Sequence, residues 1–196
     1  MTASQMIEIS HTALLLIDIQ MEFAARLEAG VPRSTPDAES NITTLLANCR
    51  RLGVEIIHVH HHSLESDSAF RADLPGAAVQ PFAAPKDNET LYIKHVNSSF
   101  IGTTLETDLH KKQIRNLLVC GGTANHCVET TTRMAGNLGF NVFYLSDCVW
   151  AYGSVGPDGY EHSPEIVLSV TLSNLHGEFA EVTDSIQALE KLEQAS

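Results

Sequence analysis

Residues 116–128 read Asn116-Leu-Leu-Val-Cys-Gly-Gly-Thr-Ala-Asn-His-Cys127-Val. The apolar run predicts a buried strand, the glycine pair predicts a tight turn, and residues 125–138 have the pattern of a helix. Cys127 therefore lies where the turn enters the helix. Unpaired backbone N–H groups and the positive end of the helix dipole favour a thiolate at such a position, and the thiolate is the nucleophilic form of cysteine. This stretch predicts a reactive thiol at the end of a strand.

Two other predicted strands end on a lone ionisable residue. Asp18 ends the apolar run that begins at Thr12, and Lys94 ends the short run that begins at Leu91. In open parallel sheets ligands bind beyond the carboxyl ends of the strands, so we expect the acid, the base and the thiol to meet in one pocket. Burial would raise the pKa of Asp18 and suit it to proton exchange. Lys94 would oppose that shift, hold the acid ionised and favour the thiolate.

Short apolar runs alternate with helical patterns along the whole chain. This alternation predicts an α/β fold in which helices connect the parallel strands of an open sheet. The predicted strands are 12–19, 54–60, 91–94, 115–121, 141–146 and 179–182, and the predicted helices are 36–52, 103–112, 125–138, 163–175 and 184–193. Residues 61–89 are predicted to form a long loop, and residues 152–159 a glycine-rich loop. No repeat or linker divides the chain, so residues 1–196 are predicted to form a single domain.

Composition and charge exclude several classes of protein. A hydrophobic content of 43% with 18% charged residues is ordinary for a globular protein with a core. A net charge of −12 without a Lys/Arg cluster argues against nucleic acid and anionic membranes as partners. No apolar run approaches the roughly 20 residues that span a bilayer. The four cysteines lack the spacing of a metal site or a dense disulfide framework. We expect a cytoplasmic protein.

Three segments, in this order and at these strand ends, resemble the isochorismatase-like cysteine hydrolase family over nearly the whole chain. The first is Leu16-Ile-Asp18-Ile-Gln20 with Phe23. The second is Lys94, followed by Ser98-Ser-Phe100 and Gly102-Thr-Thr-Leu105. The third is Gly121-Gly-Thr-Ala-Asn-His-Cys127-Val.

The resemblance implies a three-layer α/β/α sandwich with a mainly parallel, Rossmann-like sheet. It implies a catalytic triad of Asp18, Lys94 and Cys127. It also implies a non-proline cis peptide bond between Gly122 and Thr123, which aims the amides of Thr123 and Cys127 at an oxyanion. Family members are often homo-oligomers, so a homo-oligomer is expected here.

The implied reaction is the hydrolysis of a C–N bond, in an amide or ureido group, of a small molecule. Cys127 would form a thioester, Asp18 would carry the protons, and Lys94 would support the charges. Phe23, His61, Asn125 and Tyr152 are the candidate residues of the substrate pocket, although core packing is the simpler role for the two aromatic ones. No cofactor is implied.

This chain departs from the family pattern at positions that distinguish the branches of the family. Nicotinamidases of the family carry an Asp-x-His…His metal site, whereas this chain reads His58-Val-His-His-His62 without the aspartate. Consecutive side chains point in different directions, so three adjacent histidines cannot all face one ion, and we expect no metal site.

Val96 lies where many relatives have an arginine. Isochorismatases of the family often lack the cysteine, so Cys127 argues against that branch. Nicotinamidase-like and isochorismatase-type hydrolysis both remain alternatives.

Two non-hydrolytic alternatives also remain. Cys127 could serve a redox or thiol-binding protein, which would not need Lys94, or the fold could be a binding module that has lost catalysis. The other cysteines, at positions 49, 120 and 148, are expected to be inert residues of the core.

Overall fold

Six parallel strands form the centre of the molecule in a computed structural model that describes residues 7–194. The strands of this sheet are β1 (Thr12–Ile17), β2 (Glu55–His61), β3 (Thr90–Lys94), β4 (Asn116–Gly122), β5 (Asn141–Trp150) and β8 (Glu181–Thr183). Their order is β3-β2-β1-β4-β5-β8, and each neighbouring pair is parallel. Two further short strands, β6 (Ser154–Val155) and β7 (Glu161–His162), form an antiparallel hairpin.

Helices cover both faces of the sheet. They are α1 (Met21–Glu28), α2 (Ala38–Leu52), α3 (Leu105–Lys111), α4 (Glu129–Asn137), α5 (Pro164–Leu175) and α6 (Ser185–Glu193). Alternate residues of a strand face opposite sides, so Leu14 and Leu16 pack towards α2 and α6, while Leu15 and Ile17 pack towards α3, α4 and α5. The predicted three-layer α/β/α fold with a mainly parallel sheet is confirmed. Of the domain predicted over residues 1–196, residues 1–6 and 195–196 lie outside the described part.

The strand order creates a crevice at the centre of the sheet. From β1 the chain builds outward through β2 and β3 on one side, and then returns to build β4 and β5 on the other. In open α/β sheets this switch point is where ligands bind, beyond the carboxyl ends of the two central strands. Asp18 follows β1, and the turn from Gly122 to Cys127 follows β4. The topology therefore brings these two segments together.

Several predicted boundaries differ from the structure. Helix α1 was not predicted, because it is short and Gln20 before it provides no side-chain cap. Strand β5 runs four residues past the predicted end at Ser146, because an irregularity opposite β4 lets pairing resume at Val149 and Trp150. The last strand begins at Glu181 and not at Phe179.

Two predicted segments have more structure than expected. The predicted glycine-rich loop, 152–159, contains strand β6 of the hairpin. The segment predicted as a helix from Asn125 starts as a π-helical turn, Ala124–Val128. The regular α-helix, α4, begins only at Glu129. Cys127 therefore lies in this turn, and not in the first turn of an α-helix.

The end of the long loop 62–89 is tied to the sheet by Glu89. Its carboxylate accepts two hydrogen bonds from Arg50 of α2, at 2.7 and 2.8 Å, and lies 2.8 Å from Nε2 of His58 in β2. The Glu89 side chain is only 3% exposed. Burial alone would raise the pKa of Glu89, but the bonds from Arg50, the Lys86 N–H and His58 lower it to about 2. The ionised carboxylate thus stabilises this junction.

Replacing Glu89 with alanine is expected to cost about 3 kcal/mol of unfolding free energy at pH 7, because Arg50 is left partly buried without its partner. The pKa of Glu89 falls from an ordinary 4.5 to about 2 on folding, so its contribution is complete above about pH 4.5. It is lost as the pH falls through 2. Urea unfolding at pH 7 and pH 3 should show a larger difference between native and variant protein at pH 7.

The matched control is Glu193→Ala. Glu193 pairs with Arg51, the neighbour of Arg50 on α2, but both side chains are more than half exposed. An exposed pair contributes about 1 kcal/mol or less. Equal losses for Glu89→Ala and Glu193→Ala would contradict the structural role of the buried junction.

Candidate active site

Asp18 is held in an unusual backbone conformation directly after β1. Its φ angle is 52°, in the left-handed region, which aspartate tolerates better than most residues. The Asp18 N–H donates to the carbonyl of Val59 at 2.8 Å, and its own carbonyl accepts from Gln20 N–H at 2.9 Å. These bonds turn the chain away from the sheet and fix the position of the carboxylate.

Lys94 forms a buried ion pair with Asp18. Lys94 is the last residue of β3 and lies opposite His61 in the register with β2. Its Nζ donates to Asp18 Oδ2 at 2.7 Å, and the two side chains are 0% and 2% exposed. Nδ1 of His61 lies 3.4 Å from the same ammonium group. The structure thus brings the predicted acid and base together.

The second carboxylate oxygen of Asp18 makes no well-aligned hydrogen bond, although the carboxylate is close enough to the Cys127 thiol for the two groups to interact. Asp18 Oδ1 is buried and has no hydrogen-bond partner among the described residues. Burial raises the pKa of Asp18, and the charge and hydrogen bond of Lys94 oppose the rise, as does the Cys127 thiol. Both effects expected from the sequence are present, and burial is the larger. Asp18 therefore has an oxygen free to accept a proton.

The thiol of Cys127 is coupled to this pair but is not a thiolate at rest. Burial, and then the negative charge of Asp18, raise the pKa of Cys127 to about 12, and Lys94 only partly compensates. Lys94 acts in the expected direction, but burial and the charge of Asp18 outweigh it, so the expected net preference for the thiolate is not found. The π-helical turn separates Cys127 from the start of α4, and the carboxylate acts on the thiol at close range.

The turn before Cys127 requires glycine at two successive positions. A Cβ atom on Gly121, whose φ is +120°, would lie 1.9 Å from the carbonyl oxygen of Ile17. A Cβ atom on Gly122 would lie 2.4 Å from the indole of Trp150. The close approach lets the end of β4 lie directly against β1 and its Asp18.

Two amides of the same turn are available to a ligand. The peptide bond between Gly122 and Thr123 is cis. Beyond the turn itself, neither the Thr123 N–H nor the Cys127 N–H donates a hydrogen bond to another described residue. The Thr123 hydroxyl lies 3.0 Å from Nδ1 of His126, which ties the turn together.

A cavity of about 430 Å³ opens between these groups. The predicted pocket residues Phe23, His61, Asn125 and Tyr152 all line it, together with Asp18, Thr123 and Cys127. Gly122, predicted for its cis peptide bond, and His126, quoted in the third segment, line it as well. Five further lining residues were not predicted: Arg26, Phe70, Asn97, Gly153 and Ser154. Arg26 lies almost one helical turn after Phe23, so recognising α1 would have revealed it, whereas Phe70 lies in the long loop, where no pattern marks it.

Aromatic rings form one wall of the cavity. The ring centroid of Phe23 lies 5.2 Å from that of Phe70 and 6.2 Å from that of Tyr152, and His61 packs edgewise on Phe70 at 5.9 Å. Trp150 supports Phe23 from behind, at 5.3 Å, and is itself fully buried outside the cavity. This wall offers a flat apolar surface to the non-reacting part of a small molecule.

Gln20 locks the long loop onto the site. This fully buried side chain donates to the carbonyls of His61, at 3.0 Å, and Ala77, at 2.7 Å, and accepts from His61 N–H at 2.8 Å. In the sequence, Gln20 is marked only as part of the motif Leu16-Ile-Asp18-Ile-Gln20. Its bonds show that it positions the ends of β1 and β2, and therefore Asp18 and His61.

The histidines of β2 do not converge. His58 bonds Glu89, His60 is buried with a pKa lowered to about 4 by burial, and His61 faces the cavity with its pKa lowered to about 4 by burial and then by Lys94. Within residues 7–194, no group of three or more histidine, cysteine or acidic side chains could hold a metal ion. His61 is therefore neutral at pH 7 and adds no charge beside Lys94.

The remaining cysteines lie apart from this chemistry. Cys49, Cys120 and Cys148 are buried in the core and carry free thiols. Burial raises the pKa of each of them, to about 12 in Cys49.

No helix within the described residues is long and apolar enough to cross a bilayer.

Comparison with known proteins places the chain in a family. The isochorismatase domain model matches residues 12–185. The isochorismatase family protein YrdC of Bacillus subtilis is 35% identical over 177 residues, which cover 90% of this chain and 94% of that protein. A crystal structure from Chromobacterium violaceum, described as a hydrolase of the isochorismatase family, has a TM-score of 0.92 at 35% identity and covers 99% of this chain and 100% of its own.

Two further relatives have names that state a chemistry. A cysteine hydrolase from Pseudomonas syringae has a TM-score of 0.89 at 26% identity, with 100% of both chains covered. Nicotinamidase 3 of Arabidopsis thaliana is 24% identical over 192 residues, which cover 88% of this chain and 84% of that protein. The family model spans most of the chain, and the resemblance seen in the sequence is confirmed: this protein belongs to the isochorismatase family and is a hydrolase.

Proposed function

We propose that this hydrolase cleaves a C–N bond, in an amide or ureido group of a small molecule, through a thioester on Cys127. The names of two relatives support the class of reaction, since one is called a cysteine hydrolase and the other a nicotinamidase. The geometry of Asp18, Lys94 and Cys127 supports the mechanism.

One observation carries the proposal: the two oxygens of Asp18 have different surroundings. Oδ2 is bonded to Lys94, while Oδ1 is buried without a partner and its carboxylate is coupled to the Cys127 thiol. A thiol with a pKa of about 12 is a poor nucleophile at neutral pH unless a base removes its proton during the attack. Asp18 is the base beside the thiol, and the ammonium group of Lys94 stabilises the negative charge of the Asp18 carboxylate.

In the first half of the reaction, Asp18 takes the thiol proton as the sulfur attacks the carbonyl carbon. The electrons of the C=O bond move to the oxygen, and the N–H groups of Thr123 and Cys127 stabilise that oxyanion. Asp18 then gives the proton to the nitrogen. The C–N bond breaks, ammonia or an amine leaves, and the acyl group remains on sulfur.

In the second half, a water molecule attacks the thioester and Asp18 accepts its proton. The C–S bond breaks, the carboxylic acid leaves, and the proton returns to the sulfur. Asp18 thus ends each half-reaction as it began, and the overall change is hydrolysis.

The redox alternative is less well supported by the site. Reactive redox cysteines have a lowered pKa and are often close to a second thiol. The pKa of Cys127 is raised, and Cys120 and Cys148 are buried in the core.

The test is ammonia release from a panel of amides and ureido compounds, comparing native protein with Cys127→Ala. The panel contains nicotinamide, N-carbamoyl amino acids, maleamate and simple aliphatic amides. We expect at least one compound to release ammonia only with the native protein. Release that is equal in both proteins would contradict the proposal.

The pH dependence should report Asp18. The proposed base must be ionised, and burial raises the pKa of Asp18 above its ordinary value of 3.8. We therefore expect kcat/KM to fall on the acid side through one pKa above that value, and to stay level from neutral pH to about pH 10, below the titration of the thiol. A rate that instead rises through a pKa of about 8.5, that of a free thiol, would show that a pre-formed thiolate reacts without Asp18.

The absence of a nucleic-acid or membrane partner, the homo-oligomer and the cytoplasmic location remain proposals.

A further inference from the structure

The cavity has a charged end that the proposed reaction does not use. Arg26, on α1, is the only arginine or lysine among the described residues that line it. The other charged lining group, Asp18, is already neutralised by Lys94. Arg26 is therefore the cation of the cavity wall, and its own partner, Glu22, lies outside the cavity.

The guanidinium of Arg26 is held in place by the aromatic wall. Its Cζ atom lies 5.4 Å from the ring centroid of Tyr152 and 6.0 Å from that of Phe23. Those two rings stack on each other, so the guanidinium lies at the edge of a rigid surface. A cation already fixed by packing loses little freedom when it binds an anion.

Most of the donors of Arg26 are free. Its Nε donates to Glu22 Oε1 at 2.8 Å, and neither terminal nitrogen bonds another described residue. The side chain is 43% exposed. A guanidinium whose terminal N–H groups are free can bind a carboxylate with two parallel hydrogen bonds. Glu22 does not line the cavity, so it orients Arg26 from outside.

Tyr152 provides a second donor beside Arg26. Its hydroxyl is buried and has no partner among the described residues. Burial raises the pKa of Tyr152, and the charge of Arg26 opposes that rise, so the two groups are electrostatically coupled. A buried hydroxyl without a partner is costly, and a small rotation towards a ligand oxygen at Arg26 would satisfy it.

We propose that Arg26, assisted by Tyr152, binds a carboxylate on the acyl part of the substrate, and that this hydrolase therefore prefers amides of dicarboxylic acids over neutral amides. The aromatic wall of Phe23, Phe70 and Tyr152 would hold the spacer between the two ends. This inference rests on the proposed function, because it names the substrate class of the same site.

The experiment uses two matched pairs of amides. Succinamate is compared with butanamide, and 4-carbamoylbenzoate with 4-methylbenzamide, so each pair differs mainly in the carboxylate. We expect native protein to favour the carboxylate member in kcat/KM. Arg26→Met should reduce kcat/KM for that member by roughly 10- to 100-fold and leave the neutral member within about twofold. Arg26→Lys should keep part of the preference, because it retains the charge without the two parallel bonds.

Glu22→Gln is the control in the opposite direction. It removes the negative charge next to Arg26, while the glutamine oxygen can still accept the bond from Arg26 Nε and keep the guanidinium oriented. The value of kcat/KM for the carboxylate member should therefore stay the same or rise. A loss as large as that of Arg26→Met would show that the Arg26 effect comes from disturbance of α1, and would overturn the inference. Circular dichroism of each variant checks that it folds.

A binding measurement separates this inference from the proposed function. Succinate and terephthalate, the acids that the two carboxylate amides would yield, are titrated into native and Arg26→Met protein by calorimetry. Binding that needs Arg26 supports the inference even if none of the four amides is hydrolysed. Cys127-dependent hydrolysis without a carboxylate preference overturns the inference and leaves the proposed function intact. The inference is also overturned if neither acid binds and no amide of the pairs reacts.

Discussion

Replacing Cys127 with serine is expected to lower kcat/KM for the substrate amide by a factor of about 10³ or more. The serine hydroxyl is less acidic than the thiol, and its oxygen is a weaker nucleophile in an environment that already opposes ionisation. The native thiol has a pKa of about 12, mainly because of burial, so removing its proton is already difficult for a carboxylate such as Asp18. Removing the proton of a serine hydroxyl at this position would be harder still. The measurement is steady-state ammonia release with the best substrate of the panel.

The control for this prediction is Cys49→Ala. Cys49 is a free, fully buried thiol on α2, in the core on one face of the sheet. Its replacement should lower stability by creating a small cavity, with kcat/KM unchanged in the folded protein. If Cys127→Ser kept more than about a tenth of native activity, the reaction would not need the properties of a thiol at this position, and the prediction would be wrong.

Replacing Lys94 with methionine is expected to remove activity and to cost about 3 kcal/mol or more of unfolding free energy at pH 7. The substitution leaves the Asp18 carboxylate, which is 2% exposed, without its partner at 2.7 Å. Asp18 then either stays ionised, as an unpaired buried charge, or takes up a proton and can no longer act as a base. Urea unfolding and ammonia release measure the two effects separately.

The double variant Asp18→Asn with Lys94→Met separates stability from chemistry. Removing both charges should recover most of the stability lost in Lys94→Met, because no unpaired charge remains. It should stay inactive, since asparagine cannot accept a proton. If the double variant were instead as unstable as the sum of the two single variants, the ion pair would not be the coupled unit that the geometry indicates.

The pH dependence of Lys94→Met follows from the same ion pair. Without Lys94 the pKa of Asp18 should rise further, since Lys94 is the main group that opposes the effect of burial. The folded variant then takes up a proton that the unfolded chain releases, so the variant loses stability as pH rises through that pKa. Its deficit relative to native protein should therefore be smaller at pH 5 than at pH 7.

The sequence predicted the framework of the site because that framework depends on local patterns. Asp18 and Lys94 end apolar runs, and Gly121 and Gly122 follow another, so their places at the carboxyl ends of strands could be inferred. The strand order was not inferred from the runs alone. It is the order of the sheet that makes β1 and β4 neighbours and brings Asp18 to Cys127.

The electrostatic state of Cys127 could not be predicted from its neighbours in the chain. A turn leading into a helix suggests a lowered pKa, but the distance to Asp18 and the depth of burial depend on the folded structure. Arg26 was missed for a different reason. Helix α1 has only eight residues and no side-chain cap, so nothing marked the helical spacing that puts Arg26 beside Phe23.

Mass spectrometry of the protein, quenched in acid during turnover of its best amide, would detect the proposed thioester on Cys127 directly. We expect an added acyl mass on the peptide that contains Cys127, absent from Cys127→Ser and released by hydroxylamine as the hydroxamate. Rapid hydrolysis with no acyl mass on Cys127, and no hydroxamate formed when hydroxylamine is present, would contradict the thioester mechanism.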